Sequence, residues 1–168
     1  MAGFSLMRNN DQRKVTKQIK LLGVEVHNIN KSYANITFTM KKKDRQTLEV
    51  NVTIEVYRDL PKLRVWGHVY KFVDNTFKPT QLKYEGDYCN TLKVIYKTVF
   101  QIEKYKNEYQ EFMLDCPIKK GTYYLRNINE SMVDATLFPL WKARLDYAFI
   151  TEKIRVFDAS AYVQVIEL

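Results

Sequence analysis

The chain is poor in the residues that most often carry chemistry. Its 168 residues include two cysteines, two histidines, four prolines and five glycines. The glycines, at positions 3, 23, 67, 86 and 121, are scattered, so they form no glycine-rich loop whose backbone could approach a phosphate. His27 and His68 both fall in strand-like segments, where a lone imidazole is usually solvated or hydrogen-bonded rather than a general base. None of Ser5, Ser32, Ser131 and Ser160 sits in a G-x-S-x-G context, and no C-x-x-C, H-E-x-x-H or acidic calcium loop occurs. The expectation is a protein that is not an enzyme, with no catalytic residue, metal or cofactor. There is no internal repeat or low-complexity tract, and no stretch nears the ~20 apolar residues of a membrane-spanning helix. Residues 1–10 hold no apolar block of secretory length, so secretion would require a leader removed from this sequence.

What the chain does hold is ordinary globular hydrophobicity, 46%, with 14% aromatics that include twelve tyrosines and nine phenylalanines. Such rings suit pleated sheets, where cross-strand neighbours pack against them. A net charge of +8 permits anionic partners without choosing among them. Most positives alternate with apolar residues; Lys41, Lys42, Lys43 and Arg45 form the one local run, which reads first as a solvated hairpin tip.

Cys89 and Cys116 alone are compatible with two buried thiols or with one bridge. Four of the eleven asparagines, Asn30, Asn35, Asn51 and Asn129, head Asn-x-Ser/Thr acceptor patterns. These patterns favour a secreted, glycosylated protein, and therefore a Cys89–Cys116 disulfide.

A period of two is the strongest pattern. Ala34, Ile36, Phe38 and Met40 share one face and Asn35, Thr37 and Thr39 the other; Leu48, Val50, Val52, Ile54 and Val56 then oppose Thr47, Glu49, Asn51, Thr53 and Glu55. The charged link KKKDRQ joins them as an antiparallel hairpin with apolar faces on one side, which turns Asn35 and Asn51 outward. The break at Pro61 is followed by a strand over residues 63–72 that is partly apolar on both faces, then a turn at Asp74 and Asn75. Leu92, Ile95, Tyr96, Val99, Phe100 and Glu103 step by three and four, predicting a helix of about four turns that ends near the polar residues 104–111; the β-branched residues there leave a strand as the competing reading. GTYYLRNI, the alternating segment from Trp141 to Phe149, and residues 154–168 complete about seven strands. The fold expected is mainly β, an antiparallel β-sandwich of immunoglobulin-like or ML-like type with one helix between the two cysteines. Residues 1–18 read as a polar arm and 19–168 as a single domain.

Three segments carry a resemblance: LEVNVTIEVYRDLPKLRVWGHVYKF, the Asp87-Tyr88-Cys89-Asn90 run, and above all CPIKKGTYYLRNI, followed by Leu137, Pro139 and WKARLDYAF. Over residues 48–168 the chain resembles the insect secreted family of unassigned function that includes the CheB chemosensory proteins, itself similar to ganglioside-activator and ML lipid-recognition sandwiches. The region before Leu48 lacks the additional cysteine pair that family often carries.

The resemblance implies a lipid, hydrocarbon or pheromone-like molecule held between two splayed sheets, with the chain as carrier or presenter. The candidate lining is Ile36, Phe38, Val50, Val52, Ile54, Val69, Phe100, Leu145 and Tyr147. The same faces would equally fill their own core, leaving an extracellular interaction or structural module as the alternative. Further expected partners are an anionic membrane surface or a protein receptor. Basic residues interleaved with Tyr and Phe also suit single-stranded nucleic acid, but no RNP-type signature is present and the sequons point outside the cell.

Overall fold

A computed structural model describes residues 16–45, 47–101, 104–105 and 116–168, with Leu92, Lys93 and Tyr96 described by their backbone only. The expected arm up to residue 15, Glu103 and most of the polar stretch after it lie outside the described residues.

Among the described residues, eight strands form two antiparallel sheets. β1 (Lys17–Ile29), β8 (Ile154–Glu167), β7 (Lys142–Thr151), β4 (Arg64–Val73) and β5 (Thr76–Asp87) make a five-stranded sheet in that order. β2 (Ala34–Lys42), β3 (Leu48–Val56) and β6 (Gly121–Asn129) make a three-stranded one. Among the described residues, one α-helix, α1 (Tyr88–Thr98), starts one residue before Cys89 and runs on toward Cys116, to which Cys89 is bonded. The fold is a mainly antiparallel β-sandwich, as the period-two pattern predicts.

The predicted hairpin is present, with its apolar faces on one side as expected. Ile36 pairs with Ile54, Phe38 with Val52 and Met40 with Val50, so one face of β2 and β3 is continuous and apolar, while Asn35 and Asn51 share the opposite, outer face with Thr37 and Thr53. Asp74 and Asn75, with φ of 52° and 62°, close the tight β4–β5 turn where their left-handed geometry is needed.

Three elements differ from expectation. Lys17 and Gln18, which composition places in the arm, open β1; their partners Glu167 and Ile166 lie at the far end of the chain, and such a pairing leaves no local trace. β5 is absent from the sequence reading because it is an edge strand holding Pro79 and mostly solvated side chains, so neither face shows an apolar alternation. α1 has eleven residues, about three turns, and begins four residues early. Asp87 sets its start by accepting a hydrogen bond from the Asn90 N–H at 3.0 Å. Gln101 takes a left-handed φ of 52° just past its end, so Phe100 belongs to no helical face.

The two apolar faces of β4 have different covers. Val65 faces the inter-sheet core. On the outer face, Tyr70 and Phe72 lie beneath long basic side chains rather than a further sheet, with Arg144 4.2 Å from the Tyr70 ring centre and Lys142 4.5 Å from that of Phe72.

Candidate functional site

The main core cluster joins Ala34 and Val56 of the small sheet to Val65 and Val156 of the large one, with Leu60, Leu63, Tyr88 and Ile118 from the connections. This end of the sandwich is closed. Farther along the strands the interior is not filled, and a cavity of about 290 Å³ lies between the sheets. Its size is near the lower end of the range of small-molecule pockets, roughly 300–1,000 Å³.

Strand alternation builds the wall. Ile36 and Phe38 of β2, Val50, Val52 and Ile54 of β3, and Leu125 of β6 face Tyr147 and Phe149 of β7 and Val156 and Phe157 of β8. Small residues make the room: Gly67 and Ala159 are the cross-strand partners of Tyr147 on either side. A Cβ added at Gly67 would meet no atom nearer than 3.9 Å. Toward the other end the sheets stop covering each other. Met40 and Leu145, which by register face inward, are each 37% exposed there. The exposed tip, residues 41–45, follows Met40 directly, with Lys41 paired to Glu49 at 3.4 Å.

Of the nine residues expected to line a pocket, Ile36, Phe38, Val50, Val52, Ile54 and Tyr147 are on the cavity wall. The other three are elsewhere. Val69 and Leu145 pair with each other one step beyond Gly67 and Tyr147, off the cavity wall, with Val69 half-buried and Leu145 exposed. Phe100 packs on Met132 in a separate small cluster with Leu125 and Ile128. The sequence reading omitted Leu125, Phe149 and Phe157, although their alternation was visible, and also Leu60, Leu63 and Tyr88. Leu60 and Tyr88 come from a loop and a helix start, for which no periodicity exists, and Leu63, on an alternating face of the expected strand, ends in the loop just before β4.

The sixteen described lining residues are apolar except for the hydroxyls of Tyr88 and Tyr147. Burial pushes the Tyr147 phenol up to about 12 from its ordinary 10. The folded protein therefore holds a proton that the unfolded chain releases near pH 10. This contribution is complete below about pH 10 and lost as pH rises toward about 12, by up to roughly 3 kcal/mol. Urea midpoints measured on either side of that window should fall more steeply for the parent than for Tyr147→Phe; parallel slopes would remove Tyr147 as the cause.

Outside the cavity, the polar network on the outer face of the large sheet has a serine, a histidine and an aspartate in line. Ser160 Oγ donates to Asp146 at 2.6 Å and lies 2.8 Å from His27 Nε2. The serine is 2% exposed and its proton points to the carboxylate, the reverse of a nucleophile feeding a base. Arg144 holds the same carboxylate in a two-point contact at 3.0 and 3.2 Å. His68 is buried and bonded to the Thr80 carbonyl at 2.9 Å. Among the described residues, no cluster of three or more acidic, His or Cys side chains has metal-binding geometry, and no helix is long and apolar enough to cross a membrane.

Fold and site together define an antiparallel β-sandwich with an apolar chamber between its sheets. No family model matches the chain, and no curated protein matches it. Among solved structures, a Niemann-Pick type C2 protein from the Japanese carpenter ant overlaps with a TM-score of 0.32 at 13% identity, over 86% of this chain and 96% of that one. A crustacean hemolymph prophenoloxidase overlaps at 0.24 and 10% identity, over 84% of this chain and 27% of its own. Scores this low decide neither fold nor activity.

Proposed function

We propose that this chain is a secreted, non-enzymatic binding protein that holds a lipid or other hydrophobic molecule between its two sheets, as a carrier or presenter. The observation that carries this reading is the chamber itself. A well-packed interior leaves few voids larger than a water molecule, whose share of liquid volume is about 30 Å³, whereas this one is about 290 Å³ and walled by aliphatic and aromatic side chains. The resemblance to CheB-like and ML sandwiches supports the same reading. A filled core, the alternative, accounts poorly for a space of this size.

Secretion is supported by the Cys89–Cys116 bond and the four sequons. Asn35 and Asn51 stand on the outer face of the hairpin, Asn30 follows β1, and Asn129 ends β6; each is a proposed glycan site. The basic tip beside the open end suits contact with an anionic membrane or an acidic receptor surface.

Val52→Trp places an indole in the chamber from the middle of the central strand of the small sheet. The parent should bind the uncharged fluorophore phenylnaphthylamine saturably. The variant should bind it at least about tenfold more weakly, with its unfolding midpoint preserved because the ring enters existing space. An absence of saturable binding by the parent, or equal binding by both, would overturn the proposal.

A further inference from the structure

The two hydroxyls of the chamber wall are in different situations. Tyr88 is 2% exposed, sits at the closed end, and has partners of its own in the packing. Tyr147 has ring neighbours, Phe149 and Phe157 at 6.2 and 5.9 Å between centres, but its hydroxyl makes no hydrogen bond among the described residues. Nor is that oxygen sealed in packing. Among the described residues, the side-chain polar atom both sealed and unpartnered is Thr47 Oγ1, beside the hairpin tip. Tyr147 Oη therefore keeps some accessible surface, and Tyr147 is one of the residues that line the chamber.

We infer that Tyr147 is the hydrogen-bonding point for the bound molecule, and that this molecule is neutral and apolar with an oxygen function: an alcohol, ester, ketone or aldehyde. The inference rests on the ligand-binding reading above. A bare alkane would displace water from the phenol and return nothing, leaving a buried donor unmade. An ionised fatty acid meets the opposite difficulty. No Lys, Arg or His is among the described lining residues, and against that wall a carboxylate's charge would enter uncompensated. The burial that pushes the phenol's own ionisation up acts in the same sense on a ligand carboxylate. A neutral oxygen completes the phenol's hydrogen bond at no cost in charge. Gly67 and Ala159, on the strands either side, leave the wall recessed around the ring, which gives such a group room to approach.

Dodecanol, dodecane and ionised dodecanoate, each competed against phenylnaphthylamine on the full chain, test this. In the parent, dodecanoate should compete more weakly than dodecanol. The ratio of dodecanol to dodecane affinity should fall about three- to tenfold in Tyr147→Phe, the size of one neutral hydrogen bond. In the parent, carbon NMR of Tyr147 Cζ should shift on adding dodecanol and stay in place with dodecane, a reading that stands even if the variant folds poorly. An unchanged ratio with both probes bound, or equal Cζ shifts, would overturn the role of Tyr147 while leaving ligand binding intact. If neither probe binds, both readings fall together.

Discussion

Removing the Cys89–Cys116 bond, by reduction or by replacing both cysteines with alanine, is expected to lower stability by roughly 3 to 4 kcal/mol. The bond spans a sequence separation of 27, and closing a loop of that size removes about this much chain entropy from the unfolded state. Its position adds to the effect. Both cysteines pack against the main core cluster, next to Tyr88 and Ile118, which are among its most buried members. The bond thus anchors the start of α1 and the segment entering β6 to the closed end of the chamber. Urea denaturation with and without reductant measures the loss. A change under about 1 kcal/mol would mean that packing alone holds these segments.

Glu130→Ala is expected to cost about 3 kcal/mol, although Glu130 is neither near the chamber wall nor part of an ion pair among the described residues. Its carboxylate is buried, and its two oxygens accept backbone N–H groups from opposite sheets: Leu21 of β1 at 2.5 Å and Leu48 of β3 at 2.7 Å. Each is a charge-assisted bond of about 1.5–3 kcal/mol, and alanine leaves both donors without their acceptor. The tie closes one flank of the sandwich, so the Leu21 and Leu48 amides should lose hydrogen-exchange protection. Glu130→Gln retains one acceptor oxygen and should lose less. Equal stability of parent and alanine variant would show that the two sheets are held together there by packing alone.

This tie also marks a limit of sequence reading. Glu130 appeared only as the middle residue of a sequon, a solvated position by default. Nothing in residues 129–131 announces that the chain returns there to within reach of Leu21, 109 positions away. The first residues of β1, and β5 as a whole, escaped for related reasons. The pairing of Lys17 with Glu167 is invisible locally, and an edge strand with one solvated side carries no alternation to detect.

Where a segment's own pattern was sufficient, the structure agrees with it. Alternation over residues 34–40 and 48–56 specified the hairpin, its shared apolar face and the outward direction of Asn35 and Asn51, because successive side chains on a strand must point to opposite faces. The same rule placed Tyr147 on an inner face. It placed Val69 and Leu145 there too, and could not tell that they lie one step beyond the residues that wall the cavity. A side chain's face is local geometry, settled by parity along one strand. Whether that face meets a packed neighbour, a void or solvent depends on how far apart two sheets stand and on which residues from remote strands lie opposite, with Gly67 and Ala159 beside Tyr147 as the instance here. The sequence by itself determined the sandwich and the apolar character of its interior; only the tertiary structure decided that part of this interior is empty, and where.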